Sequence, residues 1–304
     1  MSSALPVHCS SLLHRHLRRW PLLLLAGVSL VWVSCSTPPP MNRPIALLTD
    51  FGSQDPYVAQ MKGAILSIYP DARLVDLSHT IRSHDVRQGS YFLDKAVRHF
   101  PADTIVVAVV DPGVGSARAA VALQTRTGRI FIGPDNGLFS HVVLREKLAE
   151  ARSIENRELF RTPDVSSTFH GRDIFGPVAA HLAAGTSFSS VGPVMKKLNL
   201  LSINPPATLG DKVNGEISHI DGFGNVLTNI PREFLDPMPK NALLRVLVGG
   251  KTYSLPFIAN YAEAPDKRPF ILINSDDEAE IAVKEGSAGQ FLKVEAGQKI
   301  ILQR

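Results

Sequence analysis

Cysteine is almost absent from this chain of 304 residues, which contains only Cys9 and Cys35. So few cysteines exclude a disulfide framework and a cysteine-based metal site. Basic runs with interleaved aromatic residues, the mark of a nucleic-acid surface, are also missing. Three positive charges, Arg15, Arg18 and Arg19, lie in the first 34 residues, which contain no acid, so the net charge of +4 falls to +1 without them. We therefore expect no nucleic-acid partner.

The N-terminal segment has no apolar run long enough to span a bilayer comfortably. Its apolar stretch, Leu22 to Val33, has 12 residues, follows the basic segment from His14 to Arg19 and ends next to Cys35. This pattern is typical of a bacterial lipoprotein signal covering residues 1–34, which is cleaved so that the thiol of Cys35 receives lipid. Residues 35–42 then form a short proline-rich linker. We expect an exported periplasmic or cell-surface lipoprotein held to a membrane through Cys35, with an uncleaved signal anchor as the alternative.

Strands alternate with helices between residues 43 and 205. Apolar runs predict strands, helical spacing of apolar residues predicts helices, and glycine or proline follows several of them. The alternation predicts an α/β domain with a mostly parallel sheet flanked by helices on both faces. The predicted strands are Ile45–Thr49, Leu74–Leu77, Ile105–Val110, Val121–Leu123 and Ile130–Ile132, and the predicted helices contain Val58–Ile68, Val86–Phe100 and Phe175–Ala184.

The pattern changes after residue 205. Short runs of β-forming residues follow one another there, separated by glycine, proline, asparagine and aspartate. They predict a smaller, β-barrel-like C-terminal domain over residues 206–304. These runs are Gly215–Ile220, Leu243–Val248, Ile271–Ile273, Glu280–Val283 and Lys299–Leu302.

Two aspartates, Asp50 and Asp111, directly follow predicted parallel strands. Ligands of open α/β sheets bind beyond the carboxyl ends of the strands, so both residues are candidates for a functional site. The glycines nearby match neither a P-loop nor a complete dinucleotide fingerprint, so phosphate binding is not indicated. A second polar group contains Asp76, His79, His84 and Asp85, but its spacing fits no zinc or di-metal signature, and we expect no metal.

Five motifs together carry a family resemblance over residues 43–304. They are Thr49-Asp50-Phe51-Gly52, Asp111-Pro112-Gly113-Val114-Gly115, Pro134-Asp135-Asn136-Gly137, Ser167-Thr168-Phe169-His170-Gly171-Arg172-Asp173 and Phe223-Gly224-Asn225. In order and spacing the chain resembles the S-adenosyl-L-methionine hydroxide adenosyltransferases, relatives of the chlorinase and fluorinase enzymes. The resemblance implies hydrolysis of S-adenosyl-L-methionine at the ribose 5′ carbon, which gives adenosine and L-methionine without a cofactor.

The resemblance also implies a catalytic set made of Asp111, Arg118 and His170. The halogenating relatives carry a tyrosine at the first position and a halide-binding serine just after the third, where this chain has Asp111 and Gly171. A carboxylate repels a halide in a poorly solvated cavity and serves a water molecule well, which favours water as the nucleophile. Whether Asp111 or His170 is the base is left open by the sequence.

For substrate binding, the resemblance places Asp50 on the ribose hydroxyls. It places Asp221 and Asn225 at the methionine end and the adenine amine, Phe223 on the pocket wall, and Ser275 at the methionine carboxylate. It also implies a homotrimer with the site between subunits. Two alternatives remain: 5′-halogenation of the same substrate, and a lipid-anchored nucleoside-binding protein without turnover, because an exported enzyme would rarely meet a cytoplasmic metabolite.

Overall fold

The computed structural model describes residues 43–304. The predicted signal peptide and the whole predicted linker, including the lipidation site Cys35, lie outside the described residues. The strands are β1 Ile45–Thr49, β2 Leu74–Ser78, β3 Ile105–Val109, β4 Ala120–Thr125, β5 Ile130–Pro134, β6 Leu148–Ser153, β7 Ala207–Leu209, β8 Lys212–Ile220, β9 Val226–Pro231, β10 Leu243–Val248, β11 Lys251–Pro256, β12 Pro269–Ile273, β13 Glu278–Val283 and β14 Lys299–Gln303. The α-helices are α1 Tyr57–Ile68, α2 Val86–Val97, α3 Ser140–Glu146, α4 Gly176–Ala183 and α5 Ala288–Leu292.

The first six strands form one sheet in the order β2-β1-β3-β5-β4-β6. Three neighbouring pairs, β2-β1, β1-β3 and β3-β5, are parallel. The prediction of a mostly parallel α/β sheet is therefore confirmed. The remaining two pairs are antiparallel, because β4 runs back along β5 and β6 runs back along β4. The strand β6 and the short helix α3 before it were not predicted.

The apolar residues of β1 pack against helices on both faces of this sheet. Ile45 and Leu47 belong to the core that contains Met61 of α1 and Val178 of α4. The intervening Ala46 and Leu48 belong to a second core with residues of α2 and α3. Successive side chains of a strand point to opposite faces, so a strand covered on both faces must be apolar throughout. This is why β1, β3 and β5 are continuous apolar runs.

The C-terminal strands form an antiparallel sheet in the order β11-β10-β14-β8-β9-β13-β12, with β7 paired to β8. A bridge between Phe257, just after β11, and Ile271 of β12 joins the two ends, so the sheet is nearly closed around an apolar core. This confirms the predicted β-barrel-like region. Strands β9 and β11 were not predicted. The edge strand β11 has a polar sequence, Lys251-Thr-Tyr-Ser-Leu-Pro256, that lacks a long apolar run.

Helix α2 connects the two sheets through polar contacts. Asp85 caps its first turn by accepting a hydrogen bond from the N–H of Gln88 at 2.9 Å. From the same helix, Arg87 pairs with the buried Glu216 of β8 at 2.6 Å. About two turns later, Lys95 pairs with Glu278 of β13, also at 2.6 Å. Within residues 43–304, no helix is long and apolar enough to cross a membrane.

Candidate active site

The candidate site begins where two adjacent parallel strands end. Thr49 of β1 lies beside Val109 of β3, and the N–H of Asp50 donates to the carbonyl of Val109 at 3.3 Å. Asp50 and Asp111 therefore emerge at the same edge of the sheet, as the sequence pattern predicts. They line a cavity of about 270 Å³. Its other lining residues are Phe51, Tyr57, Ser83, His84, Val109, Val114, Thr168, Phe169, His170 and Gly171.

Asp111, Arg118 and His170 form one hydrogen-bonded set at this cavity. The Nε of Arg118 lies 3.0 Å from both carboxylate oxygens of Asp111, and its Nη2 also donates to that carboxylate. The same Nη2 lies 2.9 Å from Nδ1 of His170. The side chain of Asp111 is 4% exposed and that of Arg118 is 11% exposed. The guanidinium thus stands between the carboxylate and the imidazole in a site largely shielded from water.

The contact with Arg118 determines the protonation of His170. A guanidinium has only donors, so Nδ1 of His170 must accept and the neutral ring carries its hydrogen on Nε2. Burial and the positive charge of Arg118 lower the pKa of His170, although Asp111 and Asp173 oppose this shift. The imidazole is therefore neutral at pH 7 and has a fixed tautomer.

Two loops carry the members of this set and contact each other directly. Gly115 lies between Asp111 and Arg118 in the first loop and has a φ of +75°. A Cβ at Gly115 would come within 2.4 Å of the carbonyl oxygen of Ser167 in the second loop. Glycine is required here both for the left-handed backbone and for the close approach.

The apolar wall of the cavity consists of three aromatic rings. Phe169 makes edge-to-face contacts with Phe51 and Tyr57, each with a centroid distance of 5.5 Å. A Cβ at Gly171 would lie 3.2 Å from Cζ of Phe51. The ring of Phe51 therefore occupies the space that a side chain at position 171 would need.

The carboxylate of Asp50 is oriented by the backbone of a residue that the sequence did not single out for this site. The N–H of His84 donates to Oδ2 of Asp50 at 2.9 Å, and His84 has a left-handed φ of 69°. Ser83 and His84 both line the cavity. They lie in the loop before α2, and no local sequence signal places that loop over the end of β1.

Asp221, Phe223 and Asn225 lie together in the turn between β8 and β9. Oδ1 of Asp221 accepts hydrogen bonds from the N–H groups of Phe223 and Asn225, at 2.9 and 2.8 Å. The side-chain amide of Asn225 donates to Oδ2 of Asp221 at 3.0 Å. Phe223 is 84% exposed. These residues line a second cavity, of about 660 Å³, which in one chain is separate from the cavity of Asp111.

Ser275 is not brought to Asp221. It is exposed in the turn before β13, whereas the second cavity is lined by Val283 at the opposite end of that strand. A six-residue strand spans roughly 17–20 Å, so one methionine end cannot contact both residues of a single chain. The second cavity instead contains Tyr261 and Glu280, which are joined by a hydrogen bond and were not identified from the sequence.

The polar group of Asp76 and His79 is held by other contacts. Nε2 of His79 lies 3.0 Å from Asp76, Nδ1 of His79 lies 2.8 Å from the hydroxyl of Thr49, and Asp76 pairs with Lys62. In the described part of the chain, no group of three or more histidine, cysteine, aspartate or glutamate residues is arranged to hold a metal ion.

An α/β sheet that presents an Asp–Arg–His set at its carboxyl edge, followed by a nearly closed antiparallel sheet, defines the class of this protein. The chain belongs to the SAM hydroxide adenosyltransferase family, whose N-terminal domain model matches residues 45–192 and whose C-terminal domain model matches residues 215–301.

Several relatives cover most of the described chain. A Thermus thermophilus protein named (R)-S-adenosyl-L-methionine hydrolase is 36% identical and covers 86% of this chain and 99% of its own length. A fluorinase from an Actinoplanes species is 30% identical, over 77% of this chain and 88% of its own. A crystal structure of an uncharacterized conserved protein from Thermotoga maritima is 38% identical, with a TM-score of 0.81, and covers 86% of this chain and all of its own.

Proposed function

We propose that this chain hydrolyses S-adenosyl-L-methionine at the ribose 5′ carbon and releases adenosine and L-methionine. The contact of Arg118 with both Asp111 and His170 at the cavity carries this proposal. The hydrolase relatives support it, since several curated members of the family at 32–36% identity bear that name. The fluorinase from the Actinoplanes species is 30% identical.

The chemistry needs a positioned water molecule and a dry site. The oxygen of water attacks the 5′ carbon while the carbon–sulfur bond breaks, and the electron pair of that bond stays on sulfur. Methionine leaves as a neutral thioether, and the proton of water passes to the enzyme. As the positive charge of the sulfonium disappears, a site with little water favours the reaction. Alignment of the oxygen with the breaking bond supplies several kcal/mol.

Within the Asp–Arg–His set, the carboxylate of Asp111 takes the proton of water. Arg118 stabilises the developing hydroxide by charge-assisted hydrogen bonding and also holds Asp111 in place. His170 offers a hydrogen on Nε2, because its Nδ1 accepts from Arg118. Asp50, oriented by His84, binds the ribose hydroxyls.

The substrate spans two subunits in this proposal. Asp221, Phe223 and Asn225 line a cavity separate from that of Asp111 in one chain. The exposed ring of Phe223 suits the face of an adenine, and the carboxylate of Asp221 suits an ammonium group. Both would contact a substrate molecule held in the Asp111 cavity of a neighbouring subunit. A homotrimer would bring the two cavities together around one substrate molecule.

The sulfonium epimer is a further part of the proposal. The hydrolase relatives are named for the (R) epimer of S-adenosyl-L-methionine. We propose the same preference here, because in-line attack fixes the carbon–sulfur bond and binding of the methionine end then fixes the side of the sulfur on which the methyl group meets the cavity wall. Phe51, Tyr57 and Phe169 form that wall.

Export as a lipoprotein remains part of the proposed biology. The segment before residue 35 has the charge and apolar pattern of a lipoprotein signal, and Cys35 is the proposed lipidation site of a membrane-anchored enzyme outside the cytoplasm. Such an enzyme would act on substrate released by other cells or on another 5′-modified adenosine. Mass spectrometry of the membrane fraction would show a triacylated or diacylated Cys35 at the N-terminus. An unmodified N-terminus at Met1 would contradict the anchor.

Hydrolysis is tested with residues 43–304 and each epimer of S-adenosyl-L-methionine in halide-free buffer. We expect adenosine and methionine from the (R) epimer, and loss of both products in Asp111→Asn. Products that form only when halide is added would favour 5′-halogenation. Saturable binding by calorimetry without turnover would favour a nucleoside-binding lipoprotein.

A further inference from the structure

Asp173 is a buried carboxylate that the reaction does not use directly. The residue is 1% exposed, although it lies only three positions after His170. It is part of a π-helical turn, Gly171–Phe175, in which the N–H of Gly176 donates to the carbonyl of Gly171. Turns of this type are rare and are found frequently at functional sites. Asp173 lies inside this turn and not at the first position of α4.

The carboxylate of Asp173 connects the turn to the loop before His170. Its Oδ2 accepts a hydrogen bond from the backbone N–H of Ser166 at 3.0 Å. Arg172 holds both oxygens, with Nε 2.6 Å from Oδ1 and Nη2 2.9 Å from Oδ2. The guanidinium of Arg172 also covers the ring of Phe169, 4.9 Å from its centroid.

The backbone of Asp173 contributes two further connections. Its N–H donates to the carbonyl of Phe169 at 3.1 Å, and its carbonyl accepts from the N–H of Arg161 at 3.0 Å. Ser166 and Phe169 are thus both tied to Asp173, and they enclose the short segment that leads into His170. A burial of this kind is costly unless every oxygen is hydrogen-bonded, and these contacts satisfy that condition.

The same loop packs against the loop that carries the other two members of the catalytic set. The carbonyl oxygen of Ser167 lies against Gly115, which stands between Asp111 and Arg118 in the chain. A displacement of Ser166 would therefore shift the loop of His170 against the loop of Arg118. The bond between Arg118 and His170 has a donor–acceptor distance of 2.9 Å and tolerates little displacement.

We propose that Asp173 is a positioning residue for the hydrolysis: by closing the segment from Ser166 to the π-helical turn, it holds His170 at hydrogen-bonding distance from Arg118. This inference rests on the proposed function of the Asp111, Arg118 and His170 set. Asp173 does not touch the reacting atoms. Its removal lowers the turnover rate because a displaced imidazole no longer aligns with the water molecule.

The test compares Asp173→Asn with the matched control Asp164→Asn. Asparagine has nearly the same shape as aspartate, but it places an NH2 donor where one carboxylate oxygen accepted from Ser166 or Arg172, so it weakens the closure of the segment. Asp164 is exposed in the same segment, so its substitution removes the same charge without these contacts. We expect kcat to fall about tenfold or more in Asp173→Asn, with KM changed less than about threefold, and both to be unchanged in Asp164→Asn.

A second measurement is independent of turnover. Nitrogen NMR of labelled histidine, assigned with His170→Asn, reports the hydrogen bond at Nδ1 of His170. We expect the chemical shift of Nδ1 of His170 to change in Asp173→Asn and to remain the same in Asp164→Asn. If the protein as purified does not hydrolyse the substrate, the proposed function fails and this signal alone decides the role of Asp173. A folded Asp173→Asn variant with an unchanged signal overturns the inference, as does an unchanged kcat in an active enzyme, even if its melting temperature falls.

Discussion

The Nη2 of Arg118 lies 2.9 Å from Nδ1 of His170 and donates a hydrogen bond to it. Since the imidazole then carries its hydrogen on Nε2, the neutral ring presents a donor on its other nitrogen. The carboxylate of Asp111 is left as the acceptor in the catalytic set. In the proposed mechanism, this contact favours Asp111 over His170 as the group that takes the proton of water.

Replacement of Arg118 by lysine tests the simultaneous contact of Arg118 with Asp111 and His170. A lysine keeps the positive charge but lacks the planar fork that reaches Asp111 and His170 together. We expect kcat to fall by about a hundredfold in Arg118→Lys, the size of effect found when one donor of an electrostatic site is removed. The exposed Arg126→Lys serves as the control and should keep full activity. Steady-state kinetics with near-normal turnover in Arg118→Lys would mean that charge alone suffices.

The pH dependence of the reaction follows from the lowered pKa of His170. Burial and Arg118 depress this pKa below the ordinary value of 6.5. Protonation would place a hydrogen on Nδ1 and break the bond from Arg118, so activity is lost as the pH falls through the depressed pKa. We expect kcat/KM to be constant from pH 7 down to about pH 6.5 and to decline only below it. A histidine-dependent decline that begins above pH 7 would contradict this assignment.

A side chain at position 171 competes for space with Phe51. A Cβ there would lie 3.2 Å from Cζ of Phe51, whose ring is confined by Tyr57 and Phe169. We expect Gly171→Ser to lower the free energy of unfolding by about 1–3 kcal/mol, as overpacking does. The matched variant is Gly63→Ala in α1, where a Cβ meets nothing within 4 Å.

In that control, alanine in an exposed helix interior should stabilise the protein by about 0.5–1 kcal/mol. The midpoints of urea unfolding of the two variants should therefore shift in opposite directions from that of the wild type. Equal midpoints for Gly171→Ser and the wild type would show that Phe51 moves aside without cost.

His141 makes stability depend on pH. Burial lowers its pKa to about 4, although Asp94 opposes the shift. Between pH 6.5 and pH 4 the unfolded chain binds a proton that the folded chain does not, so folding stability decreases as the pH falls through this range. The loss reaches about 3 kcal/mol at pH 4.

The variant His141→Asn keeps a polar partner for Ser90, which lies 2.8 Å from Nδ1 of His141. We expect its free energy of unfolding to fall less steeply with decreasing pH than that of the wild type, whereas the exposed His99→Asn should behave as the wild type. If the free energy of unfolding falls equally steeply with pH in His141→Asn and in the wild type, His141 does not cause the pH dependence of stability.

Much of the fold is predictable because its strongest signals are local. The apolar runs of β1 and β3 end at Asp50 and Asp111, and burial on both faces explains why those runs are continuous. The strands β6 and β11 were missed because edge strands need little apolar sequence. Their pairing depends on neighbours that are distant in the chain.

The candidate site was only partly predictable. Motif order identified Asp111, Arg118 and His170, which the structure places in contact. It did not reveal the buried Asp173 or the backbone of His84 on Asp50, because such contacts depend on how loops fold back. It also did not show that Ser275 and Asp221 of one chain lie toward opposite ends of β13.

The attack of water on the 5′ carbon can be followed with an oxygen isotope. The protein is incubated with S-adenosyl-L-methionine in water enriched in heavy oxygen, and the products are analysed by mass spectrometry. We expect the label in the 5′ hydroxyl of adenosine and none in methionine, and we expect neither product from Asp111→Asn. Unlabelled adenosine, label in the amino-acid product, or no turnover of either epimer would contradict this expectation.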